Sequence, residues 1–274
     1  MQSHFAPTRV GSQCVHPYRL KDATALAELE HEVHGVFGRG ADLVGLPENF
    51  AFMGDDEQRL EQAASLAERA QRFLVTMARR YQVTLLGGGY PVPAGERLTS
   101  NRAELVGKDG QILATYDKIH LFDVDVPGAV HRESATITAG ADVVVTDVGD
   151  VRIGQATCYD LRFPELFRAL LDRGAHAVVL PSAFTAATGK DHWEPLIRAR
   201  AIENQVYVIA PNQRASSNDR LHWHGRSMIV DPWGVVVAQA PDRDCVITAE
   251  IDLDAQRAIR AKLPSGDHRR PELF

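Results

Sequence analysis

Apolar positions recur along this chain in two rhythms. Short runs rich in Val, Ile and Leu, bounded by Gly, Pro, Asp or Asn, read as strands. They are Val10–Val15, Asp42–Leu46, Val83–Tyr90, Arg102–Val106, Gln111–Tyr116, Val143–Val148, Val151–Thr157, Ala177–Leu180, Val206–Ala210, Ser227–Val230, Val235–Ala238 and Val246–Ile251. Between them, apolar residues at three- and four-residue spacing mark helices. The clearest is Glu57–Tyr81, whose stripe runs through Leu60, Ala63, Ala67, Ala70, Phe73, Leu74, Met77 and Tyr81. Others are expected over Ala23–Phe37, around His192–Asn204 and near Asp254–Leu263. In the third, Pro195 is expected in the first turn, because proline breaks a helix interior.

About a dozen strands exceed what one open sheet comfortably holds, so two packed sheets are expected. Gly107-Lys108-Asp109-Gly110 and Asp231-Pro232-Trp233-Gly234 read as hairpin connections, which makes part of the sheet structure antiparallel. No linker, repeat or low-complexity segment interrupts the pattern, and one α/β domain over residues 1–274 is the simplest organisation.

The chain has 274 residues, 45% of them hydrophobic and 24% charged, ordinary values for a globular protein with a sizeable core. A net charge of −6 gives no basic footprint for nucleic acid. Cys14, Cys158 and Cys245 are far apart in the chain and show no CxxC spacing, which argues against a disulfide framework or a structural zinc site. The first residues lack the apolar core of a secretory leader, and no apolar run approaches the length that spans a bilayer. A cytoplasmic protein without membrane contact is expected, its thiols kept reduced. His222-Trp223-His224 lacks partners at metal-ligand spacing, and Gly87-Gly88-Gly89 fits no nucleotide-binding pattern, so neither metal nor cofactor is expected. The three glycines read instead as close packing at a strand end.

Three polar residues stand where strands end. Cys158 follows the run Val151, Ile153, Ala156, and Pro164 then suits the first position of a helix that Gly174 ends. A thiol on such a turn lies near free backbone N–H groups, which favour a thiolate and can bind an oxyanion. Its alternative reading is a small buried hydrophobe. Glu48 follows Pro47 at the end of a buried strand, where a turn residue is the plain alternative. Lys118 ends the strand after the first hairpin, where a solvated edge charge is the alternative. Taken together, the three are a base, an oxyanion partner and a nucleophile. A histidine-dependent cysteine hydrolase is a rival reading, with His120 and His176 as candidates; a catalytically silent binding protein is another.

The segments Leu46-Pro47-Glu48-Asn49-Phe50, Tyr116-Asp117-Lys118-Ile119-His120-Leu121-Phe122 and Cys158-Tyr159-Asp160-Leu161-Arg162-Phe163-Pro164-Glu165 resemble, in the same order, the three motif regions of the nitrilase superfamily of carbon–nitrogen hydrolases. The resemblance covers nearly the whole chain. It extends to Pro181-Ser182-Ala183-Phe184, to Arg198-Ala199-Arg200-Ala201-Ile202-Glu203-Asn204 and to Asp231-Pro232-Trp233-Gly234. It implies a four-layer α-β-β-α sandwich with two mixed sheets, and subunits paired as a homodimer or larger homo-oligomer. It also implies Cys158 as nucleophile, Glu48 as general base, Lys118 as oxyanion stabiliser, Glu133 as a supporting carboxylate and the Tyr159 N–H as a second oxyanion donor. A loop-surface charge is the alternative for Glu133. The opening strand is less apolar than in related sequences, and Arg226 stands where they often carry histidine.

The same segments are most similar to the branch of the superfamily that contains deaminated glutathione amidase and omega-amidase. A small amide bearing a carboxylate is then the expected substrate, and its distal carboxylate needs a cationic pocket. Arg162, Phe184 and His192 are candidates to line that pocket, with Arg214 a further cation. Each has a structural alternative; Arg162, for one, could brace the cysteine turn through a buried ion pair.

Overall fold

The computed structural model describes residues 8–14, 41–126, 129–214, 216–217 and 221–273. The helix expected over Ala23–Phe37 and the end of the first expected strand, Val15, lie outside the described residues. In chain order the elements begin with β1 (Thr8–Cys14), β2 (Leu43–Gly45), α1 (Asp56–Tyr81), β3 (Thr84–Gly95), β4 (Leu98–Val106) and β5 (Ile112–Asp117). A hairpin, β6 (Asp123–Val126) and β7 (Ala129–Arg132), leads through β8 (Ile137–Thr138) to β9 (Val145–Val148) and β10 (Val151–Gln155). Then come α2 (Pro164–Asp172), β11 (Ala177–Val179), α3 (Ala186–Asn204) and β12 (Tyr207–Ala210). The chain continues through β13 (Ser216–Ser217), β14 (Leu221–His222), β15 (Met228–Val230), β16 (Val236–Gln239), β17 (Cys245–Ile251) and α4 (Leu253–Lys262).

One sheet has the order β17-β1-β2-β3-β4-β5, with β8 added beside β4; the other runs β16-β15-β12-β11-β10-β9. Alternation along the strands stacks them. In β2, Leu43 joins Leu86, Ile153, Val179 and Ile209 between the two sheets, while its neighbour Val44 turns to the opposite face with Leu66, Phe73 and Leu74 of α1. In β12, Tyr207 and Ile209 point into the inter-sheet core, and Val208 and Ala210 pack with Trp193 and Ile197 of α3. Strands buried on both faces must carry apolar residues at every position, which is why these runs are unbroken. The result is the expected α-β-β-α sandwich.

Topology brings the strand ends together. β2 and β3 run parallel, β4 reverses and β5 reverses again, so β5 points the same way as β2. β10, β11 and β12 are also parallel to one another. The two sheets meet at the same end, where Gln213 Nε2, just after β12, donates to the Glu48 carbonyl oxygen at 2.8 Å.

Three features differ from the sequence reading. Pro195 lies inside α3, because this helix begins at Ala186, a turn and a half earlier than expected. Pro195 and Asp191, whose carbonyl loses its donor, are both exposed, so water can satisfy that group. The hairpin β6–β7 and strand β8 had no clear apolar signal. Finally, the β1–β17 register sets Cys14 opposite Cys245, a neighbourhood their spacing in the chain did not suggest.

Candidate active site

Cys158 opens a 3-10 turn, Cys158–Arg162, inserted between β10 and α2. Pro164 occupies the first turn of α2, as expected, while the helix ends at Asp172, just before Gly174. The backbone of Cys158 is left-handed, with φ 48°, a conformation costing a side-chain-bearing residue about 1–3 kcal/mol. Its N–H donates to Pro181 O at 2.9 Å, which holds the turn. The next N–H, that of Tyr159, lies too early in the turn to find an acceptor within it, and no hydrogen bond from it is made among the described residues.

Glu48 sits beyond β2 and is 2% exposed. Its Oε1 accepts from Asn101 Nδ2 at 2.8 Å and lies 3.2 Å from Lys118 Nζ; its Oε2 accepts from Ala183 N at 2.8 Å. Gly89 makes this packing possible. Its φ is +38°, and a Cβ there would run into Asn101 Oδ1 and come within 3.0 Å of Glu48 Cγ. Lys118, the residue after β5, is 1% exposed. Its ammonium donates to Glu133 Oε1 and Oε2 at 3.0 and 2.9 Å. Glu133 begins a short 3-10 turn after the β6–β7 hairpin and also accepts from Phe122 N at 2.7 Å.

These contacts set the charges. Burial pushes the Cys158 thiol up, and the Glu48 carboxylate pushes it further; Lys118 and the Ala183 N–H pull the other way without prevailing. Burial and the neighbouring carboxylate thus favour the thiol over the thiolate at rest. Burial alone would lower Lys118, yet Glu133 and then Glu48 hold its pKa well above the ordinary value. A contact between opposite charges gains about 4 kcal/mol at an intermediate dielectric, so two carboxylates outweigh the desolvation of one ammonium.

A cavity of about 80 Å³ is lined by Glu48, Lys118, Glu133 and Cys158 together with Tyr159, Arg162 and Phe184. The Arg162 guanidinium lies 5.7 Å from the Tyr159 ring centre and 5.3 Å from that of Phe184. Its Nη1 is 3.3 Å from His192 Nδ1, and among the described residues no acidic side chain pairs with it, which leaves the bracing ion pair without a partner. His192 is exposed and outside the cavity wall. Arg214 is also elsewhere, paired with Asp242 and Asp244. His120 and His176 do not serve Cys158: His120 pairs with Asp160, and His176 Nδ1 accepts from Arg152 N.

Sequence reasoning missed Asn101, the Ala183 N–H and several cavity-wall residues, among them His131 and Trp223. The buried ring nitrogens His131 Nε2 and Trp223 Nε1 have no hydrogen-bond partner among the described residues. Asn101 carried one faint signal, a polar residue just ahead of the expected strand Arg102–Val106; the observed strand takes it in and is buried at most positions. A backbone donor leaves none.

A buried thiol, carboxylate and ammonium thus meet on one cavity at the ends of strands from two sheets. Residues 10–261 match the carbon–nitrogen hydrolase family model, and the chain belongs to that family. It is 49% identical over 249 residues to the deaminated glutathione amidase of Synechocystis sp., covering 89% of this chain and 92% of that one. It is 38% identical over 238 residues to omega-amidase NIT2-A of Xenopus laevis, covering 86% of each. The fold superposes on Saccharomyces cerevisiae Nit3, a member of branch 10 of the nitrilase superfamily, with a TM-score of 0.86, 27% identity and coverage of 99% of this chain and 98% of that one. No described helix is long and apolar enough to cross a membrane.

Proposed function

We propose that the chain hydrolyses the amide of a small carboxylate-bearing substrate through a thioester on Cys158, with deaminated glutathione as the preferred substrate. The observation that carries this reading is the contact of Glu48 with Lys118 on the cavity that also holds the buried Cys158.

Glu48 takes the thiol proton as sulfur attacks the amide carbonyl, and the carbonyl π electrons move to oxygen. Lys118 and the Tyr159 N–H hold that oxyanion. Collapse expels the amine or ammonia, which takes the proton from Glu48 and leaves a thioester. Glu48 then deprotonates water, hydroxide attacks the thioester, and the expelled thiolate recovers the proton as the acid departs. Glu133 keeps Lys118 charged and aimed throughout. Glu48, Lys118 and Cys158 are thus the catalytic residues.

Arg162 supplies the cation for the distal carboxylate, with Phe184 and Tyr159 fixing the guanidinium plane; His192 acts through Arg162 rather than on the substrate. The similarity to an omega-amidase supports a second reading, hydrolysis of α-keto acid amides at the same site. The subunits pair as homodimers or larger assemblies, in a reducing cytoplasmic setting that keeps the nucleophile a thiol.

Assay of the purified chain against deaminated glutathione and α-keto acid amides tests both readings. Mass spectrometry is expected to show an acyl adduct on Cys158 with the former at the higher kcat/KM. Undiminished hydrolysis by Cys158→Ala would end the proposal.

A further inference from the structure

Asp160 is completely buried, yet it does not line the cavity. Its carboxylate gathers donors from three residues on two stretches of chain. Oδ2 accepts from the Tyr116 hydroxyl at 2.6 Å and from Thr157 N at 2.8 Å. Oδ1 accepts from His120 N at 3.0 Å and lies 2.7 Å from His120 Nδ1. The His120 ring in turn stacks on Phe163, with centroids 3.6 Å apart and planes 5° from parallel.

The positions of these donors are telling. Tyr116 and His120 bracket Lys118, two residues to either side, whereas Thr157 and Asp160 bracket Cys158. A residue that only capped the 3-10 turn would need the Thr157 N–H alone. Asp160 also grips both flanks of the lysine, which come from the other sheet. A buried carboxylate is costly unless its hydrogen bonds are made together, so the arrangement holds only when elbow and lysine strand are in register. Burial and the neighbouring charge of Asp160 push the Tyr116 phenol well up, which keeps it a donor.

We propose that Asp160 is a positioning residue for the reaction: it fixes the distance between the Cys158 nucleophile and the Lys118 ammonium without touching substrate. This rests on the thiol-amidase reading above. Misplacing reacting groups by about 1 Å costs on the order of a hundredfold in rate, and that is the scale expected here.

Asp160→Asn keeps the shape of the side chain but sets an amide among donors. Tyr116→Phe removes one hydrogen bond and leaves the others. Both are assayed with deaminated glutathione beside the wild type, with reactive Cys158 counted by iodoacetamide titration and folding followed by melting temperature. The expected result is a fall in kcat per titrated thiol of about a hundredfold for Asp160→Asn and about tenfold for Tyr116→Phe, with KM within about twofold. A purely structural role would lower the melting temperature and the thiol count but leave kcat per thiol unchanged, and that result overturns the proposal. If Asp160→Asn does not fold, unchanged kcat per thiol in Tyr116→Phe overturns it equally. A wild type that hydrolyses no amide defeats the amidase reading instead. The positioning role is then read from the alkylation rate of Cys158, and a wild-type rate in both variants overturns it.

Discussion

Lys118 Nζ and Glu48 Oε1 lie 3.2 Å apart with side-chain exposures of 1% and 3%, so an ammonium and a carboxylate face each other almost without water. Each also has another partner, Glu133 for the lysine and Asn101 for the glutamate. The two therefore act on Cys158 with opposite signs from fixed positions.

Replacing them should separate thiol ionisation from catalysis. The Glu48 charge raises the Cys158 pKa and the Lys118 charge lowers it. In Glu48→Gln, alkylation of Cys158 should titrate at lower pH than in the wild type, while amide turnover falls by about 10²–10⁴ with loss of the base. In Lys118→Met the alkylation profile should move to higher pH. Shifts of the same sign in both variants would contradict the arrangement; iodoacetamide kinetics against pH measures them.

Arg162→Met is expected to raise KM for carboxylate-bearing amides by about ten- to a hundredfold, the worth of a charge-assisted hydrogen bond. An uncharged short amide should be little affected. Equal losses on both substrates would assign Arg162 to the structure of the elbow.

Gly89→Ala places a methyl group against Asn101 and Glu48 on a backbone that disfavours it. Turnover should drop severalfold or more while the protein still folds, because the displaced group is the proposed base. Full activity, measured alongside circular dichroism, would show that the strand absorbs the methyl elsewhere.

Stability should fall on acidification. Burial, and then Arg260 and Arg152, lower the pKa of His176 below 6.5, and its Nδ1 must stay unprotonated to accept from Arg152 N. Between the lowered value and 6.5 the unfolded chain binds a proton that the folded chain refuses, so unfolding gains as pH drops. The contribution is complete above about 6.5 and is lost as pH falls through the folded value. His176→Asn should flatten this part of the melting temperature against pH curve, and an unchanged slope would remove His176 as its source.

Residues at strand ends were the most legible part of the site. Glu48, Lys118 and Cys158 each follow an apolar run, and a polar residue at that place stands out against the pattern. Arg162, Tyr159 and Phe184 were within reach because they lie next to those motifs. Asn101 and the Ala183 N–H were not: one is a polar residue just ahead of the expected strand, and the other carries no side-chain signal. Pro195 misled for a related reason, since whether an interior proline is tolerated depends on which side of the helix faces water.

By itself the sequence determined most of the strands, the long amphipathic helix, and the thiol, carboxylate and ammonium proposed here as nucleophile, base and oxyanion partner, because period and residue type are local properties. Tertiary structure alone decided that these groups meet. Two chain reversals bring β5 back parallel to β2, and a second sheet delivers Cys158 to the same end. Burial then sets their protonation, since a thiol, an ammonium and two carboxylates acquire their character only from charges a few ångströms away, out of bulk water.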